Sequence, residues 1–204
     1  MKKLTLICML VFCSYGWASN DSDLDHTINK HQSQFENIAM QIWDLAEVGY
    51  QEYKSSKLLQ DALEDHGFKI QNNVANIPTA FIAEYGSGKP VIAILGEFDA
   101  LPGVAQSASP FKESYKDNQA GHACGHHLFG SGSAWSSVVI KEWLIANKIK
   151  GTVKFYGTPA EEGGSGKVYM ARAGLFNDVD IALHWHPGSV SHARPRASNS
   201  NKSA

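Results

Sequence analysis

The spacing of apolar residues predicts two helices at the start of the chain and a change to strands after them. Apolar side chains recur every three or four residues over 25–48 and again over 52–66, as they do on one face of a helix. Residues 68–74 and 79–85 alternate between apolar and polar side chains, which is typical of strands with one exposed face. Residues 91–95 are all apolar and indicate a strand that is buried on both faces.

The second half of the chain continues with alternating helices and strands. Apolar runs predict strands at 151–156 and 179–183, and helical spacing predicts helices at 126–147 and 167–173. Residues 104–119 are polar and predict a surface loop. Strands that alternate with helices favour an α/β fold with a mostly parallel central sheet.

Polar side chains follow three of the predicted strands, at the point where each strand ends. They belong to Glu97, Asp99, Glu161, Glu162, His184 and His186. Open α/β sheets bind their ligands in a crevice outside the carboxyl ends of the strands. We therefore expect these side chains to meet in one crevice.

The densest group of metal-binding residue types is the stretch GHACGHH at residues 121–127. A single buried Cys or His is usually a packing residue, but three imidazoles and a thiol within six residues favour a metal site. Cys124 and His126 would face apart on a regular helix, so they share an ion only if they lie in the loop that enters the helix. The nearby helix N-terminus is expected to favour the thiolate form of Cys124.

The first residues have the pattern of a secretory signal peptide. Two lysines precede an apolar run at residues 4–12, and a region of small residues ends at Ala18. Cleavage there would remove two of the three cysteines and leave Cys124 unpaired. We therefore expect residues 1–18 to be a signal peptide, residues 19–204 to form one domain, and the protein to be periplasmic or secreted, with no membrane contact after cleavage.

Charge and motif patterns exclude some function classes. The formal net charge is −2 and the chain has no basic stripe, which argues against a nucleic-acid partner. The glycine-rich turn at 163–166 lacks the Lys-Ser or Lys-Thr ending of a phosphate-binding loop. The polar tail at 198–204 ends without a packed element, so we expect the chain to be incomplete.

Four segments in this order resemble motifs of the metal-dependent aminoacylase/carboxypeptidase family. They are GEFDALPG at 96–103, GHACGH at 121–126, PAEEGG at 159–164 and HWHP at 184–187. The resemblance runs from about residue 30 to the end and is strongest to the amidohydrolase branch. It implies a three-layer α/β/α catalytic domain of the zinc-peptidase type, with residues 19–204 as its N-terminal part, truncated before a lid and dimerisation domain.

The resemblance also implies roles for individual residues. Two divalent ions, of Zn, Mn or Co, would activate a water, with Glu161 as general base and later acid and with Asp99 orienting the site. The implied metal ligands are Cys124, His126, Glu162 and one of His184 and His186, of which His186 is preferred. Glu97 replaces a ligand His of many relatives, and His127 replaces an Asp or Asn.

The implied function is hydrolysis of an amide bond in p-aminobenzoyl-glutamate, an N-acyl amino acid or a dipeptide, by an enzyme whose full-length form is a homodimer. Because a lid and a further ligand His are not seen before Ala204, we expect little or no activity from this chain alone. A non-catalytic metal-binding remnant or interaction module is the main alternative. A cysteine hydrolase using Cys124 is a third, which capture of the thiol by metal disfavours.

Overall fold

The computed structural model describes residues 21–113 and 119–193. The predicted signal peptide and the polar tail lie outside these residues, as do residues 114–118 of the predicted loop. Within the described ranges, no helix combines the length and the hydropathy needed to cross a bilayer.

Apart from a four-residue helical turn at Glu161–Gly164, the helices and strands follow one another as the apolar spacing predicts. The helices are α1 (Asp21–Leu45), α2 (Tyr53–Asp65), α3 (His126–Ala146), α4 (Glu161–Gly164) and α5 (Gly166–Arg172). The strands are β1 (Lys69–Asn72), β2 (Phe81–Ser87), β3 (Val91–Gly96), β4 (Gly151–Gly157) and β5 (Ile181–Leu183). Helix α1 ends earlier than predicted because Ala46 adopts a left-handed φ of 41°, and β1 ends early because Asn73 adopts a φ of 54°.

The five strands form one mixed sheet in the order β1-β2-β4-β3-β5. Strand β3 is parallel to both of its neighbours, β4 and β5, whereas β2 is antiparallel to β1 and to β4. Two reversals restore the direction, so β1 points the same way as β3, β4 and β5. The predicted α/β class with a mostly parallel sheet is therefore confirmed, with β2 as the strand of opposite direction.

The sheet is covered on both faces, which makes the domain a three-layer α/β/α structure. On one face α1, α2 and α3 bury a core that includes Phe35, Ile42, Leu59, Leu63, Val138, Phe81 and Phe155. On the other face α5 and the segment after it bury a smaller core that includes Val74, Ile82, Ala93, Tyr156 and Met170. Successive side chains of a strand point to opposite faces of the sheet, so Phe81 and Ile82 of β2 pack into the two different cores.

The carboxyl ends of the three adjacent parallel strands meet at one edge of the sheet. Gly96 at the end of β3 lies opposite Gly157 at the end of β4, and Leu183 of β5 lies opposite Ile94. Helix α3 begins at the same edge and packs closely, because a Cβ atom on Gly130 would lie only 2.6 Å from the Glu97 carbonyl oxygen. The segments that carry the candidate side chains thus emerge together, as predicted.

Candidate metal centre

His126 lies at the centre of this crevice with a fully buried side chain. It is the first residue of α3, and Gly125 before it adopts a φ of 83° that turns the chain into the helix. A Cβ atom on Gly125 would lie 2.9 Å from the Pro187 side chain, so the segment after β5 packs directly against this turn. Cys124 therefore lies in the loop that enters the helix, as its spacing from His126 predicts.

Asp99 fixes the orientation of the His126 ring. The imidazole Nδ1–H of His126 donates to Asp99 Oδ1 at 2.9 Å and also lies 3.0 Å from the Asp99 carbonyl oxygen. Because a carboxylate only accepts, Nδ1 carries a proton, and Nε2 is the ring atom that faces the crevice. The backbone N–H of Glu162 donates to the other Asp99 oxygen at 2.8 Å. Asp99 thus holds an imidazole as carboxylates do behind metal-binding histidines.

The Nε2 atom of His126 faces a cluster of carboxylates. Glu97 Oε2 lies 2.9 Å away, and one oxygen each of Glu161 and Glu162 lies at 4.0 Å. Buried His126 Nε2, Glu97 Oε2 and Glu162 Oε1 have no hydrogen-bond partner in the part of the chain that the structure describes. The short contact between His126 and Glu97 is an ion pair when the imidazole is protonated.

Atoms that are buried and unpartnered in this way each cost roughly 1–3 kcal/mol. A divalent cation bound here would contact these oxygens and the imidazole nitrogen in place of the proton that His126 carries in the metal-free site. The donor set of imidazole, carboxylate and thiol is the one that divalent transition metals prefer. These residues therefore fit a metal centre.

Local charges shift the pKa values of His126 and Glu97, and both shifts favour the charged form of the side chain. Burial alone would lower the pKa of His126, but its contacts with Asp99 and Glu97 outweigh burial and raise that pKa to about 10. Burial would raise the pKa of Glu97, but contacts with His126, His184 and Lys167 outweigh it and hold the pKa well below its usual range. Without metal, His126 therefore stays protonated and supplies a positive charge to the crevice.

The thiol behaves differently from the sequence-based prediction. Burial, followed by the nearby carboxylate of Glu162, raises the pKa of Cys124 to about 11. The metal-free site therefore favours the thiol, contrary to the prediction from the helix N-terminus, because burial and then the nearby carboxylates raise the pKa of Cys124. A bound divalent ion reverses this balance, since metal coordination deprotonates a thiol.

Two groups of ligand atoms lie within the crevice and share His126. Cys124, His126 and His186 each offer one ligand atom, and these atoms lie within 4.8 Å of one another. Glu97, His126 and Glu161 form a second such group. Because one imidazole nitrogen binds a single ion, His126 can complete only one of these two groups at a time.

The two histidines after β5 both reach the crevice, at different places. Cys124 Sγ lies 3.5 Å from His186 Nε2, whereas His184 Nε2 lies 3.7 Å from Glu97 Oε1. The ring of His184 also packs edge-on against Phe129, with centroids 4.9 Å apart. The preference for His186 as a ligand stays a prediction.

The two adjacent glutamates differ in exposure. The side chain of Glu161 is 46% exposed and that of Glu162 only 20%. The turn that carries them starts at Ala160, whose φ is 55°, and is tied down where the Tyr50 hydroxyl donates to the Gly164 carbonyl at 2.5 Å. Glu161 is the member of the pair that belongs to the ligand group with Glu97 and His126, and the roles of Glu162 as a metal ligand and Glu161 as general base stay predictions.

The other two histidines of the GHACGHH stretch pack behind the crevice. His122 Nε2 donates to the Ile42 carbonyl at 3.0 Å, and the His127 ring packs on Trp43 with centroids 4.9 Å apart. Burial lowers the pKa of both imidazoles to about 4, so they are neutral at physiological pH. These two residues support the loop and do not face the carboxylates.

Sequence reasoning places Glu97 among the side chains of the crevice but assigns it no role, although its place two residues before Asp99 is a usable signal. It does not identify two further polar residues that shape the site. The ammonium group of Lys167 contacts Glu97 Oε1, and buried Glu52 accepts the Ala160 N–H at 2.8 Å. Nothing in a single sequence marks either of these two.

Comparisons with known proteins show which proteins this chain resembles. A subunit of the p-aminobenzoyl-glutamate hydrolase of Escherichia coli (strain K12) is 48% identical over 165 residues, which cover 80% of this chain and 34% of that protein. The hippurate hydrolase of Campylobacter jejuni is 31% identical over 157 residues, which cover 76% of this chain and 39% of that protein. This chain thus spans little more than a third of the length of these curated relatives.

Solved structures show the same fold. A Bacillus subtilis dinuclear metal-binding peptidase of the M20 family superimposes with a TM-score of 0.61 at 29% identity, over 75% of this chain and 44% of that chain. An aminobenzoyl-glutamate utilization protein from Klebsiella pneumoniae superimposes with a TM-score of 0.56 at 18% identity, over 78% of this chain and 44% of that chain. The model of peptidase family M20/M25/M40 matches residues 93–197, just over half of the sequence. The chain belongs to peptidase family M20/M25/M40.

Proposed function

We propose that this chain provides the metal-binding crevice of a metal-dependent amidohydrolase that acts on small amides. The observation that carries the proposal is the buried Nε2 of His126, which faces the carboxylates of Glu97 and Glu162 without a hydrogen bond. The names of two relatives support the substrate class, because p-aminobenzoyl-glutamate and hippurate are both amides of a benzoic acid with an amino acid. N-acyl amino acids and dipeptides share the same amide bond.

We propose that two divalent ions, of Zn, Mn or Co, bind in the crevice. Cys124, His126 and His186 would hold one, and the buried oxygens of Glu97 and Glu162 would contribute to the other. When bound, such ions supply Lewis acidity to a substrate carbonyl and increase the acidity of water. The similarity to the dinuclear metal-binding peptidase of Bacillus subtilis supports the count of two.

The chain's own residues would move the proton and hold the geometry. Glu161, at the exposed side of the crevice, would take a proton from the attacking water and later give it to the leaving amine. Asp99 would keep His126 and the backbone of Glu162 in place through its two oxygens. Lys167 would hold Glu97 in its ionised form.

The two glutamates provide the test, because the proposal gives them different roles. The variants are made in this chain and in a chimera in which the Escherichia coli relative supplies the remaining length. Glu161→Gln should keep the metal content and lose turnover of p-aminobenzoyl-glutamate by roughly 10²- to 10⁴-fold in the chimera. Glu162→Gln should also lose metal affinity, on the order of tenfold or more. Both are followed by metal analysis and by release of the amine product.

The matched control is Glu64→Gln, which removes an exposed carboxylate from α2 and should change neither quantity. The proposal fails if Glu161→Gln and Glu162→Gln both keep metal and turnover. Metal binding without turnover in the chimera would instead support the alternative of a non-catalytic metal-binding module.

We propose further that the protein is exported, to the periplasm or outside the cell. The lysine pair, the apolar run and the small residues before Ala18 support this location. Sequencing of the mature N-terminus should start at Ser19, and an intact Met1 in exported protein would contradict it. The homodimer expected for the full-length protein also stays a proposal, to be checked by sedimentation of the chimera.

A further inference from the structure

A second group of metal-binding side chains lies on the helical side of the sheet, away from the crevice. His31 of α1, His66 at the end of α2 and Glu142 of α3 each offer one ligand atom, and these atoms lie within 4.8 Å of one another. Glu142 is sixteen residues after His126 on the same helix, which corresponds to about 24 Å along the helix axis. The family motifs and the proposed reaction use none of these three residues.

The group is built into the junction of three helices. His31 is only 7% exposed, and its Nε2 lies 2.8 Å from Glu142 Oε1. The rings of His31 and His66 meet edge to face, with centroids 4.7 Å apart. The ring of His66 also stacks on Phe35, with an angle of 22° between the planes. The positions of the three side chains are therefore fixed by packing before any ligand arrives.

Gln34 orients His66 in the way that a supporting residue orients a metal ligand. Its amide oxygen accepts a hydrogen bond from His66 Nε2 at 2.9 Å. A proton on Nε2 leaves the lone pair of the ring on Nδ1. Metal-binding histidines usually donate their other nitrogen to such an acceptor, which fixes both the tautomer and the ring orientation.

A cation already sits at this carboxylate. The ammonium group of Lys30 lies 3.2 and 3.3 Å from the two oxygens of Glu142. The Lys30 side chain is 54% exposed, so it can swing into solvent at little cost. The other nearby ammonium, that of Lys141, donates to the His66 carbonyl oxygen at 2.7 Å and is held there. A competing ion thus needs to displace only Lys30.

We propose that His31, His66 and Glu142 bind one divalent transition-metal ion of the zinc class, separate from the ions of the crevice. Two imidazoles and one carboxylate form an established zinc ligand set, and water can complete the tetrahedron. The ion replaces the proton shared by His31 and Glu142, which is released to solvent. It ties α1 and α3 to the end of α2, so its role is to stabilise the helical layer.

The test is a titration of the whole chain with Co²⁺ and with Zn²⁺. His66→Gln and Glu142→Gln should each bind one equivalent fewer than the wild type. The new site contains no thiol, so these variants should keep the thiolate-to-cobalt absorption band of the Cys124 site. The matched control is His26→Gln, an exposed histidine on the same helix as His31, which should bind the full number.

Equal stoichiometry in the wild type and in His66→Gln and Glu142→Gln would overturn the proposal and leave a hydrogen-bond network only. A variant that keeps all three ligands protects the test against misfolding. Lys30→Met removes the competing ammonium and should tighten Zn²⁺ binding at this site by about two- to fivefold. An unchanged affinity in Lys30→Met would also count against the site.

Discussion

At the scale of single residues, Glu52 connects the stability of the fold to the turn that carries Glu161 and Glu162. Its side chain is fully buried, and its two oxygens accept hydrogen bonds from the Ala160 N–H and the Thr79 hydroxyl. Burial raises the pKa of Glu52 to about 7, because these hydrogen bonds only partly compensate for the lost hydration. The residue that positions Ala160, next to Glu161, therefore changes its charge near physiological pH.

This shift predicts a pH dependence of stability. The pKa of Glu52 is raised from 4.5 in the unfolded chain to about 7 in the folded one, so the folded state binds the proton more tightly. Its stabilising contribution is fully present below pH 4.5 and is lost as the pH rises through 7, by about 3 kcal/mol in all. The unfolding free energy of the wild type minus that of Glu52→Gln, both measured in chelator, should fall by this amount as the pH rises over the same range.

The control for this measurement is Glu64→Gln, whose carboxylate is exposed on the same helix. Its difference from the wild type should stay constant over the same pH range. A constant difference for Glu52→Gln as well would show that the buried carboxyl group titrates normally.

Sequence reasoning found the site residues that either belong to a dense group of rare types or follow directly after a predicted strand. Cys124 and His126 lie two positions apart and belong to the strongest metal-binding residue types, so their chemistry is visible without a structure. Glu52 and Lys167 are common residues whose partners lie 108 and 70 positions away in the chain. Only the folded topology brings such pairs together, which is why the sequence could not reveal them.

At the scale of elements, the contact between α3 and β3 sets the position of His126. Gly130 lies one turn after His126, and a Cβ atom there would come within 2.6 Å of the Glu97 carbonyl oxygen. Any side chain at this position must push the helix away from the strand. The apolar spacing predicted both elements well, but their distance depends on the absence of a single methyl group.

Gly130→Ala should therefore disturb the fold and the metal site together. We expect a loss of about 1–3 kcal/mol in the free energy of unfolding, typical of overpacked cores. Zinc affinity should fall as well, because the first turn of α3 carries His126 away from Glu97. Urea unfolding and zinc titration measure the two effects.

Gly188→Ala is the matched control, since a Cβ atom there has no neighbour within 4 Å. It should leave stability and zinc affinity near the wild-type values. If Gly130→Ala behaved in the same way, the close packing of α3 on β3 would not control the site.

At the scale of the whole molecule, the edge strand β5 of the sheet exposes apolar side chains. In the described ranges β5 pairs with β3 alone, and Ile181 and Leu183 are nearly half exposed, at 45% and 47%. Trp185 and Val190, which follow β5 in the chain, are also exposed apolar residues. An exposed edge strand with apolar side chains is a template for pairing with another chain.

The chain should therefore self-associate as its concentration rises. Ile181→Lys places a charge on the edge strand and should reduce this association, as measured by sedimentation velocity. Ile145→Lys introduces the same charge at an exposed position on α3 and serves as the control. Equal association in all three proteins would place the contact elsewhere.

The arrangement of the ligands also determines when the centre can form during folding. Glu97, Cys124, Glu162 and His186 are spread over about ninety positions of the chain and meet only where β3, β4 and β5 lie side by side. Such contacts between distant parts of a chain form late, because closing the long intervening loops costs entropy first. In a nascent or partly folded chain, these four ligands are therefore still far apart. Tight zinc binding thus indicates that β3, β4 and β5 have already paired.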